Sequence, residues 1–397
     1  MRFIISGGWS YGNIGDEAIA KSTLCIINKM WPNADIVFTS YNPNDFYRQH
    51  NINAVDSVHR ILKNSENYEI SDLNKILGNL EAYKLDEYRN LFAEKTVFIM
   101  AGGGYFHENW STQFWSRIIE IYIASMSGAK VFMIGQSIGP IVSEQYLNAF
   151  SRAIQLCDYI NVRDQDTYNF ISKYNSRIKL GTDTAIIISD FFKKNDKNPG
   201  ITINFMLSAY TEYIGINTKQ RFKSNFASKI LKRVTLKSYR YNFKLKKILK
   251  NVSQIDNVHI NFIMSTEWKW DQKLVDKLVT NIDTLKYSVY KNQTIDDMCI
   301  ALSTGSIMIS SKMHPIIIST SFGISSIAIS YNYKMDNFMK SVNCEHQCYK
   351  NNEISTDKIL TNVKYIIIKN GNLNYENVQI LKNKVYEMFK DIDILIQ

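Results

Sequence analysis

The sequence predicts an α/β protein with two doubly wound, Rossmann-like domains that face a cleft. Three observations support this fold class. The chain has 397 residues, which is more than one ordinary hydrophobic core accommodates. Short apolar runs alternate with longer amphipathic ones, and several of the runs end in glycine. Apolar strands separated by helical stretches are typical of parallel sheets that are covered by helices on both faces.

Two series of predicted strands are separated by a polar stretch, KKNDKNPG at 193–200, whose composition is typical of a linker. The predicted domains are therefore 1–192 and 201–373. The remaining segment, 374–397, has helical periodicity over Asn374–Phe389 and is expected to pack across the domains. The predicted strands are Arg2–Ser6, Ile36–Ser40, Thr96–Ala101, Lys130–Gly135 and Tyr159–Arg163, followed by Ile201–Phe205, His259–Met264, Ile307–Ser310 and Ser326–Ser330.

The net charge of +10 comes from one segment, because residues 221–250 hold eleven Lys and Arg and no acid. Elsewhere the charges nearly balance, so the composition does not indicate a nucleic-acid binder. The spacing within Ala227–Lys250 predicts a basic amphipathic helix that contacts an anionic membrane surface. The alternative is a solvated helix whose apolar stripe packs on its own domain. That stripe comprises Ile230, Leu231, Val234, Tyr241, Leu245, Ile248 and Leu249.

The cysteines and the apolar segments predict a cytoplasmic protein that is soluble or peripheral on a membrane, and the basic segment favours the inner face of the cell membrane. Five cysteines are an odd and sparse set, which is typical of a reducing compartment. Cys344, His346 and Cys348 lie close together, but a zinc site needs a second pair of ligands, so no metal is expected. The sequence shows no secretory signal, and no apolar run approaches the length that spans a bilayer.

The first motif, Gly7 to Glu17, follows a predicted strand and opens a predicted helix. Glycines allow a tight turn and a close approach to a ligand. Asp16 and Glu17 would repel a phosphate at the start of the helix, whereas carboxylates accept hydrogen bonds from hydroxyl groups. The motif therefore indicates a sugar site that also involves Gly12 and Asn13. The alternative for Asp16 is a helix cap.

The second and third motifs also lie at predicted strand ends. Gly102–Gly104 precedes a loop whose aromatic rings can stack on sugars, although some of these rings must belong to the core. Gly135–Pro140 is a further turn of this kind. Arg163 ends another strand and can clamp a carboxylate or phosphate, or it can pair with Asp164 or another acid. The aromatic loop contains Tyr105, Phe106, His107, Trp110, Phe114 and Trp115.

The fourth motif, Ser310–Pro315, follows an apolar run and places Lys312 and His314 at a strand end. Lys334 follows beyond Tyr331. A lone histidine is usually structural, but a histidine beside a cation at a strand end favours a functional site.

These motifs, in this order, resemble the polysaccharide pyruvyl transferase family over about residues 1–340. The family usually has Ser-Arg-Leu-His where this chain has Ser-Lys-Met-His. Lysine keeps the positive charge but lacks the planar fork of arginine. The matching segments are Gly-Asn-Ile-Gly-Asp-Glu at 12–17, Gly-Gly-Gly at 102–104, Gly-Gln-Ser-Ile-Gly-Pro at 135–140, Arg-Asp at 163–164, Ser-Lys-Met-His at 311–314 and Tyr-Asn-Tyr-Lys at 331–334.

The resemblance implies a fold similar to the B-type glycosyltransferases, with an N-terminal acceptor domain and a C-terminal donor domain. It implies transfer of pyruvate from phosphoenolpyruvate to two hydroxyls of a sugar, which forms a ketal on a lipid-pyrophosphate-linked polysaccharide precursor. No cofactor is implied. Three residues receive catalytic roles: His314 as general acid, and Asp16 or Glu17 for the sugar hydroxyls. The implied donor-binding residues are Arg163, Ser311, Lys312 and Lys334, and the implied acceptor-binding residues are Gly12, Asn13, Gly103, Gly104, Tyr105, His107 and Gln136.

Two other functions remain open from the sequence. One is a glycosyltransferase of B-type fold that uses a nucleotide-sugar donor, which would release a nucleoside diphosphate instead of phosphate. The other is a non-catalytic sugar- or lipid-binding protein. The clustered cations opposite an acidic loop argue against the second, because a neutral sugar needs no such clamp.

Overall fold

A computed structural model of the chain divides into two units, which are described separately. Unit 1 comprises Met1–Phe191 and Ile380–Gln397, and unit 2 comprises Phe192–Gln379. Most of the stretch that was predicted as a linker lies outside the described residues. The residues that are not described are 11, 65–72, 93–94, 194–199, 209–224, 265–267, 292–293, 351–352, 370, 372 and 374, together with the side chains of 225–235 and 268–270.

The described part of unit 1 contains a seven-stranded parallel sheet. Its strands are β1 (Arg2–Ser6), β2 (Asp35–Ser40), β3 (Ala54–Asp56), β4 (Thr96–Met100), β5 (Lys130–Gln136), β6 (Tyr159–Val162) and β7 (Ile178–Leu180). The order across the sheet is β3-β2-β1-β4-β5-β6-β7. It reverses between β1 and β4, which pair with Arg2 opposite Thr96. Loops that follow the strands on either side of such a reversal form a crevice for ligands.

The internal strands of this sheet are mostly apolar and buried, as expected of a parallel sheet that helices cover on both faces. Every residue of β4 is buried, and α6 contributes Phe114, Ile118 and Ile121 to the same core. Three 3-10 segments, Glu81–Tyr83, Glu108–Trp110 and Thr184–Phe191, connect the elements. The helices are α1 (Ile14–Met30), α2 (Pro43–His50), α3 (Val58–Lys63), α4 (Leu73–Gly78), α5 (Asp86–Arg89), α6 (Ser111–Met126), α7 (Glu144–Gln155) and α8 (Gln165–Ile171).

The described part of unit 2 also contains a parallel sheet, with six strands. The strands are β8 (Ile201–Met206), β9 (Val258–Met264), β10 (Tyr287–Lys291), β11 (Ile307–Ser310), β12 (Ser325–Ser330) and β13 (Cys348–Lys350). Their order is β10-β9-β8-β11-β12-β13, so the reversal lies between β8 and β11. Helices α9 (Asn225–Val252), α10 (Trp268–Val279), α11 (Ile295–Ser303), α12 (Met313–Ser321), α13 (Tyr333–Ser341) and α14 (Thr356–Ile368) flank the sheet, with a 3-10 turn at Glu345–Gln347.

The helix predicted over Ala227–Lys250 forms as α9, but the described residues of its apolar stripe do not face outward. Tyr241, Leu245, Ile248 and Leu249 are buried in the core of unit 2. The side chains of the earlier stripe residues lie outside the described part. The described stripe therefore packs on its own unit, because the core needs a helix face against the sheet.

The last helix, α15 (Tyr375–Ile396), begins in unit 2 and belongs to unit 1 from Ile380 onward. Within unit 1, Lys382 Nζ donates to Ser189 Oγ at 2.7 Å and to Asp190 Oδ1 at 2.6 Å. Tyr386 donates to the other oxygen of Asp190 at 2.8 Å, so this carboxylate fastens the helix. No helix in the described ranges is both long and apolar enough to cross a membrane.

Candidate active site

The loop after β1 ends in a capped helix start. Asn13 is the N-cap of α1, and its Oδ1 accepts from the Gly15 amide at 3.1 Å. Its Nδ2 donates to Asp16 Oδ2 at 2.8 Å. The φ of Gly12 is +79°, a left-handed conformation that favours glycine. The cap is therefore Asn13 and not Asp16, whose buried carboxylate faces the neighbouring loop.

Glu17 is more buried than its predicted role at a sugar site requires. Its side chain is 2% exposed, and its Oε1 accepts from the Ser10 amide at 2.5 Å. Its Oε2 lies 2.8 Å from His50 Nε2, in a pair that is itself buried. The prediction that Glu17 meets a sugar hydroxyl conflicts with this burial. We assign Glu17 instead to holding the turn at Ser10, whose φ of +65° is unusual for a residue with a side chain.

The ring of Tyr105 occupies the space that the glycines of both loops leave open. Its hydroxyl accepts from the Gly8 amide at 2.7 Å and donates to Asp16 Oδ1 at 2.8 Å. A Cβ atom added at Gly8 would lie 2.2 Å from this ring, and one at Gly103 would lie 2.1 Å from it. The ring is buried between the loops, which conflicts with its predicted role as an acceptor-binding residue. Burial and the nearby charge of Asp16 raise the pKa of Tyr105 well above its usual value, which keeps the hydroxyl protonated.

A buried charge network, which the sequence analysis missed, lies beneath these loops. Arg117 and Glu120 are both 0% exposed and join through Nη1 and Oε2 at 2.6 Å. Arg117 Nη2 donates to the Gly7 carbonyl at 2.6 Å and to the Tyr41 hydroxyl at 2.8 Å. The guanidinium also lies 5.2 Å from the centre of the Tyr105 ring. The available signal was an Arg and a Glu three residues apart within the largely apolar middle of α6.

The electrostatics of the network follow from its dry surroundings. Burial alone lowers the pKa of Arg117, but the charge of Glu120 offsets this effect and the pKa rises. His59 packs edge-on against Tyr41 at 4.7 Å between ring centres. Burial, followed by repulsion from Arg117, lowers the pKa of His59 to about 4. At neutral pH the network therefore holds an ion pair beside a neutral imidazole.

Two further predicted residues of unit 1 also have structural partners. Gln136 is buried, and its Nε2 donates to the Ala101 carbonyl at 2.6 Å, which ties β5 to the end of β4. Arg163 pairs with Asp183 at 2.5 Å and donates to Ser137 Oγ at 2.7 Å, with 8% of its side chain exposed. Gln136 was predicted to contact the acceptor and Arg163 the donor. Both predictions conflict with this placement. For Arg163 the structure instead shows the ion-pair alternative, because the buried Asp183 needs a counter-charge.

Only part of the aromatic loop reaches the surface. Tyr105, Phe106, Phe114 and Trp115 are buried, whereas Trp110 is 52% exposed. His107 is partly exposed, and its ring stacks on Trp110 at 6.4 Å between centres. The structure therefore brings Asn13, Asp16 and Tyr105 together and leaves His107 and Trp110 as the accessible rings of the loop.

In unit 2 the predicted motif forms a tight turn between β11 and α12. Ser310 Oγ donates to the Met206 carbonyl at 2.8 Å and accepts from the Lys312 amide at 2.9 Å. Ser311 is buried, and its Oγ accepts from the Ser208 amide at 2.7 Å. The two serines thus join the ends of β8 and β11. The hydroxyl of Ser311 stabilises this turn, which conflicts with its predicted contact with a donor.

The predicted site residues Lys312, His314 and Lys334 lie at the starts of two adjacent helices. Lys312 is the N-cap residue of α12, and His314 is the second residue of that helix. Asn332 caps α13 by accepting from the Met335 amide at 3.1 Å, and Lys334 is the second residue of α13. Because β11 and β12 pair in parallel, both helices begin at the same edge of the sheet. Helix N-termini carry partial positive charge, so this edge can hold an anion.

Asp271, which the sequence analysis also missed, faces this edge from α10. Its Oδ1 lies 3.6 Å from Lys312 Nζ, and the two side chains are 7% and 24% exposed. Lys312 and His314 both keep some solvent contact, as does Lys334. The pair orients Lys312, whose side chain remains partly exposed.

Two thiols of unit 2, those of Cys344 and Cys348, are not reactive under neutral conditions. Burial raises the pKa of Cys344 to about 11 and that of Cys348 to about 12. Cys348 donates to Asp336 Oδ1 at 3.4 Å, in α13. These two residues therefore remain protonated and serve packing.

The chain consists of two Rossmann-like units, and each has polar groups at the carboxyl edge of a parallel sheet. This architecture is that of the B-type glycosyltransferases and related epimerases. Three solved structures with this similarity each give a TM-score of 0.56. The UDP-GlcNAc 2-epimerase from Neisseria meningitidis is 12% identical and is matched over 99% of both chains. A glycosyltransferase from Rickettsia africae ESF-5 is 12% identical over 99% of this chain and 97% of its own. A putative UDP-N-acetylglucosamine 2-epimerase from Listeria monocytogenes is 7% identical over 96% and 90%. At these identities the likeness concerns the fold alone.

The family to which this chain belongs follows from its sequence. The sequence model of the polysaccharide pyruvyl transferase family matches residues 13–333, which is most of the chain. The chain therefore belongs to this family, as its motifs predicted. Membership indicates an enzyme that transfers pyruvate to a polysaccharide.

Proposed function

We propose that the protein transfers the pyruvyl group of phosphoenolpyruvate to two hydroxyls of one sugar, which forms a cyclic ketal on a lipid-linked polysaccharide precursor. The observation that carries the donor assignment is the edge of unit 2 where α12 and α13 begin. Lys312, His314 and Lys334 lie there beside two helix N-termini. Phosphoenolpyruvate carries a phosphate and a carboxylate, and helix amides with lysines suit both groups.

The chemistry needs one proton donor and two hydroxyl groups. In the proposed first step, His314 protonates the methylene carbon of the donor, so the central carbon becomes electrophilic and the first hydroxyl adds to it. The carbon–phosphate oxygen bond then breaks and inorganic phosphate leaves. The second hydroxyl attacks the same carbon and loses its proton, which closes the ketal. Lys312 and Lys334 stabilise the charge on the departing phosphate. These steps use no resident cofactor.

The edge of unit 1 supplies the proposed acceptor site. Tyr105 and Asn13 orient the carboxylate of Asp16 through its two oxygens. We assign Asp16 to receive a hydrogen bond, and then the proton, from a sugar hydroxyl. His107 and Trp110 present the accessible rings on which a sugar can stack.

Incubation with phosphoenolpyruvate and lipid-linked sugars tests the proposal directly. We expect phosphate release and a product whose mass has increased by one pyruvate less one water. Parallel incubations with nucleotide-sugars are expected to release no nucleoside diphosphate. Transfer of a glycosyl group in those incubations, with phosphoenolpyruvate left intact, would replace the proposal with a glycosyltransferase function.

A further inference from the structure

The solvent side of α9 carries an apolar set that is distinct from its buried stripe. Leu236, Tyr239 and Phe243 are 60%, 71% and 61% exposed. At about 100° per residue these three lie on one face of the helix, opposite the buried Leu245. A helix that already packs one face in the core gains nothing by exposing large apolar side chains on the other. Grouped exposure of this kind marks an interaction surface.

The same face is basic. Arg240, Lys247 and Lys250 lie among the three apolar residues by their helical positions, and Lys237, Lys244 and Lys246 flank them. The sequence has no acid anywhere in 221–250. Lys247 Nζ lies 4.0 Å from Asp357 Oδ1 on α14, but that carboxylate is 84% exposed, so the pair is loose. We call Leu236, Tyr239, Phe243 and these six cations the outer face of α9.

We propose that the outer face of α9 docks on an anionic lipid bilayer. The leucine and the two aromatic rings enter the boundary between headgroups and acyl chains, while the lysines and arginine contact headgroup phosphates. Tyrosine suits this depth because its ring is apolar and its hydroxyl remains wet. The inference extends the proposed function, since a lipid-linked acceptor lies at a bilayer, but it rests on different residues.

Other occupants fit this face less well. A second copy of the chain would bring two surfaces of the same sign together, and no acid on the outer face offsets that repulsion. A nucleic acid would use the cations, and its bases could stack on the rings, but it offers nothing to Leu236. A lipid bilayer with anionic headgroups satisfies both the charges and the apolar groups.

Flotation of the full-length protein with vesicles tests the proposal. One set contains phosphatidylcholine alone, and the other contains phosphatidylcholine with one-third phosphatidylglycerol. We expect binding to the anionic set, and we expect about 1 M salt to release much of it because the Debye length falls to about 3 Å. The assay contains neither donor nor acceptor, so its failure would leave the proposed pyruvyl transfer untouched.

Variants separate the two contributions. Arg240→Gln with Lys250→Gln removes two charges and is expected to weaken binding by about twentyfold or more, at about fivefold per charge. Leu236→Ser with Phe243→Ser is expected to weaken it by at least about tenfold for each side chain. The matched controls are Lys173→Gln with Lys390→Gln, two exposed lysines of unit 1, and Ile368→Ser at the exposed end of α14. These controls are expected to bind as the parent does.

The proposal is supported if both variant pairs lose vesicle binding and keep the thermal transition of the parent. It is overturned if anionic vesicles do not bind, or if neutral vesicles bind equally well. It is also overturned if only the charge variants matter and a polyanion such as heparin competes fully, because a purely ionic site needs no bilayer. Sedimentation that shows a dimer dissociated by Phe243→Ser, without vesicle binding, would assign the face to a second copy.

Discussion

The buried network of unit 1 gives a prediction with a defined magnitude. Methionine in place of Arg117 keeps the length of the side chain and removes the charge. Glu120 then remains buried without a counter-ion, and the Gly7 carbonyl loses its 2.6 Å donor. Removal of one partner of a buried ion pair costs about 3–5 kcal/mol, because the remaining charge stays out of water.

The size of the effect can be read from thermal unfolding. For a unit of this size, 1 kcal/mol corresponds to about 2–4 °C, so Arg117→Met is expected to lower the transition of unit 1 by about 6–20 °C. The double variant Arg117→Met with Glu120→Leu removes both charges together. Replacement of a complete buried pair by apolar groups is often neutral, so the double variant is expected to recover most of the loss.

Scanning calorimetry of the full chain, in which the two units can unfold separately, is the appropriate assay. The matched control is Arg48→Met, which breaks an ion pair of the same i,i+3 spacing in unit 1. Because Arg48 is half-exposed, its loss is expected to cost no more than about 1 kcal/mol. The reasoning is refuted if Arg117→Met behaves like Arg48→Met, or if the double variant is as unstable as the single one.

Four further predictions concern single residues. His314→Gln is expected to abolish turnover while leaving phosphoenolpyruvate affinity within about tenfold in calorimetry, because a general acid acts in the transition state. Lys312→Gln is expected to weaken donor binding by about 1.5–3 kcal/mol, and Lys312→Arg is expected to retain it; equal losses would exclude a charge contact. Arg163→Ala is expected to lower the thermal transition and leave donor affinity unchanged, since its partner is Asp183. The pKa of His59 is depressed from 6.5 to about 4, so protonation favours the unfolded state and stability falls as pH drops from about 6.5 toward 4. In His59→Phe the melting temperature should vary less across that window.

Most of the fold was predictable because internal strands have a strong sequence signal. All five internal strands of the first sheet and all four of the second were predicted, with ends that differ by at most about one residue. The four edge strands, β3, β7, β10 and β13, were missed. They have three to five residues, and among their side chains only Ile178 is buried. An edge strand has a neighbour on one side only, so it needs no continuous apolar run and leaves no run to detect.

The site was less predictable because a motif does not show which atoms its residues contact. Gly8 and Gly103 were interpreted as room for a ligand, whereas the structure fills that room with the ring of Tyr105. Sequence spacing also gave no indication that Arg163 meets Asp183, or that Lys312 meets Asp271 from another helix. Each of these pairs depends on tertiary contacts between separate elements.

The distribution of acids supports the proposal that the donor binds on unit 2. The first turn of α1 contains Asp16 and Glu17, whose charges oppose the positive end of that helix. The first turn of α12 contains no acid and begins at Lys312, with His314 one residue inside. Phosphoenolpyruvate, which carries a phosphate and a carboxylate, would face two buried carboxylates at α1. At α12 it would meet helix amides and Lys312, although Asp271 pairs with that lysine. The repulsion at α1 acts at short range in a dry site, so it outweighs any benefit of the glycine loop for binding phosphate. We therefore keep the proposed acceptor site at Asp16 in unit 1 and the proposed anion site at the start of α12 in unit 2.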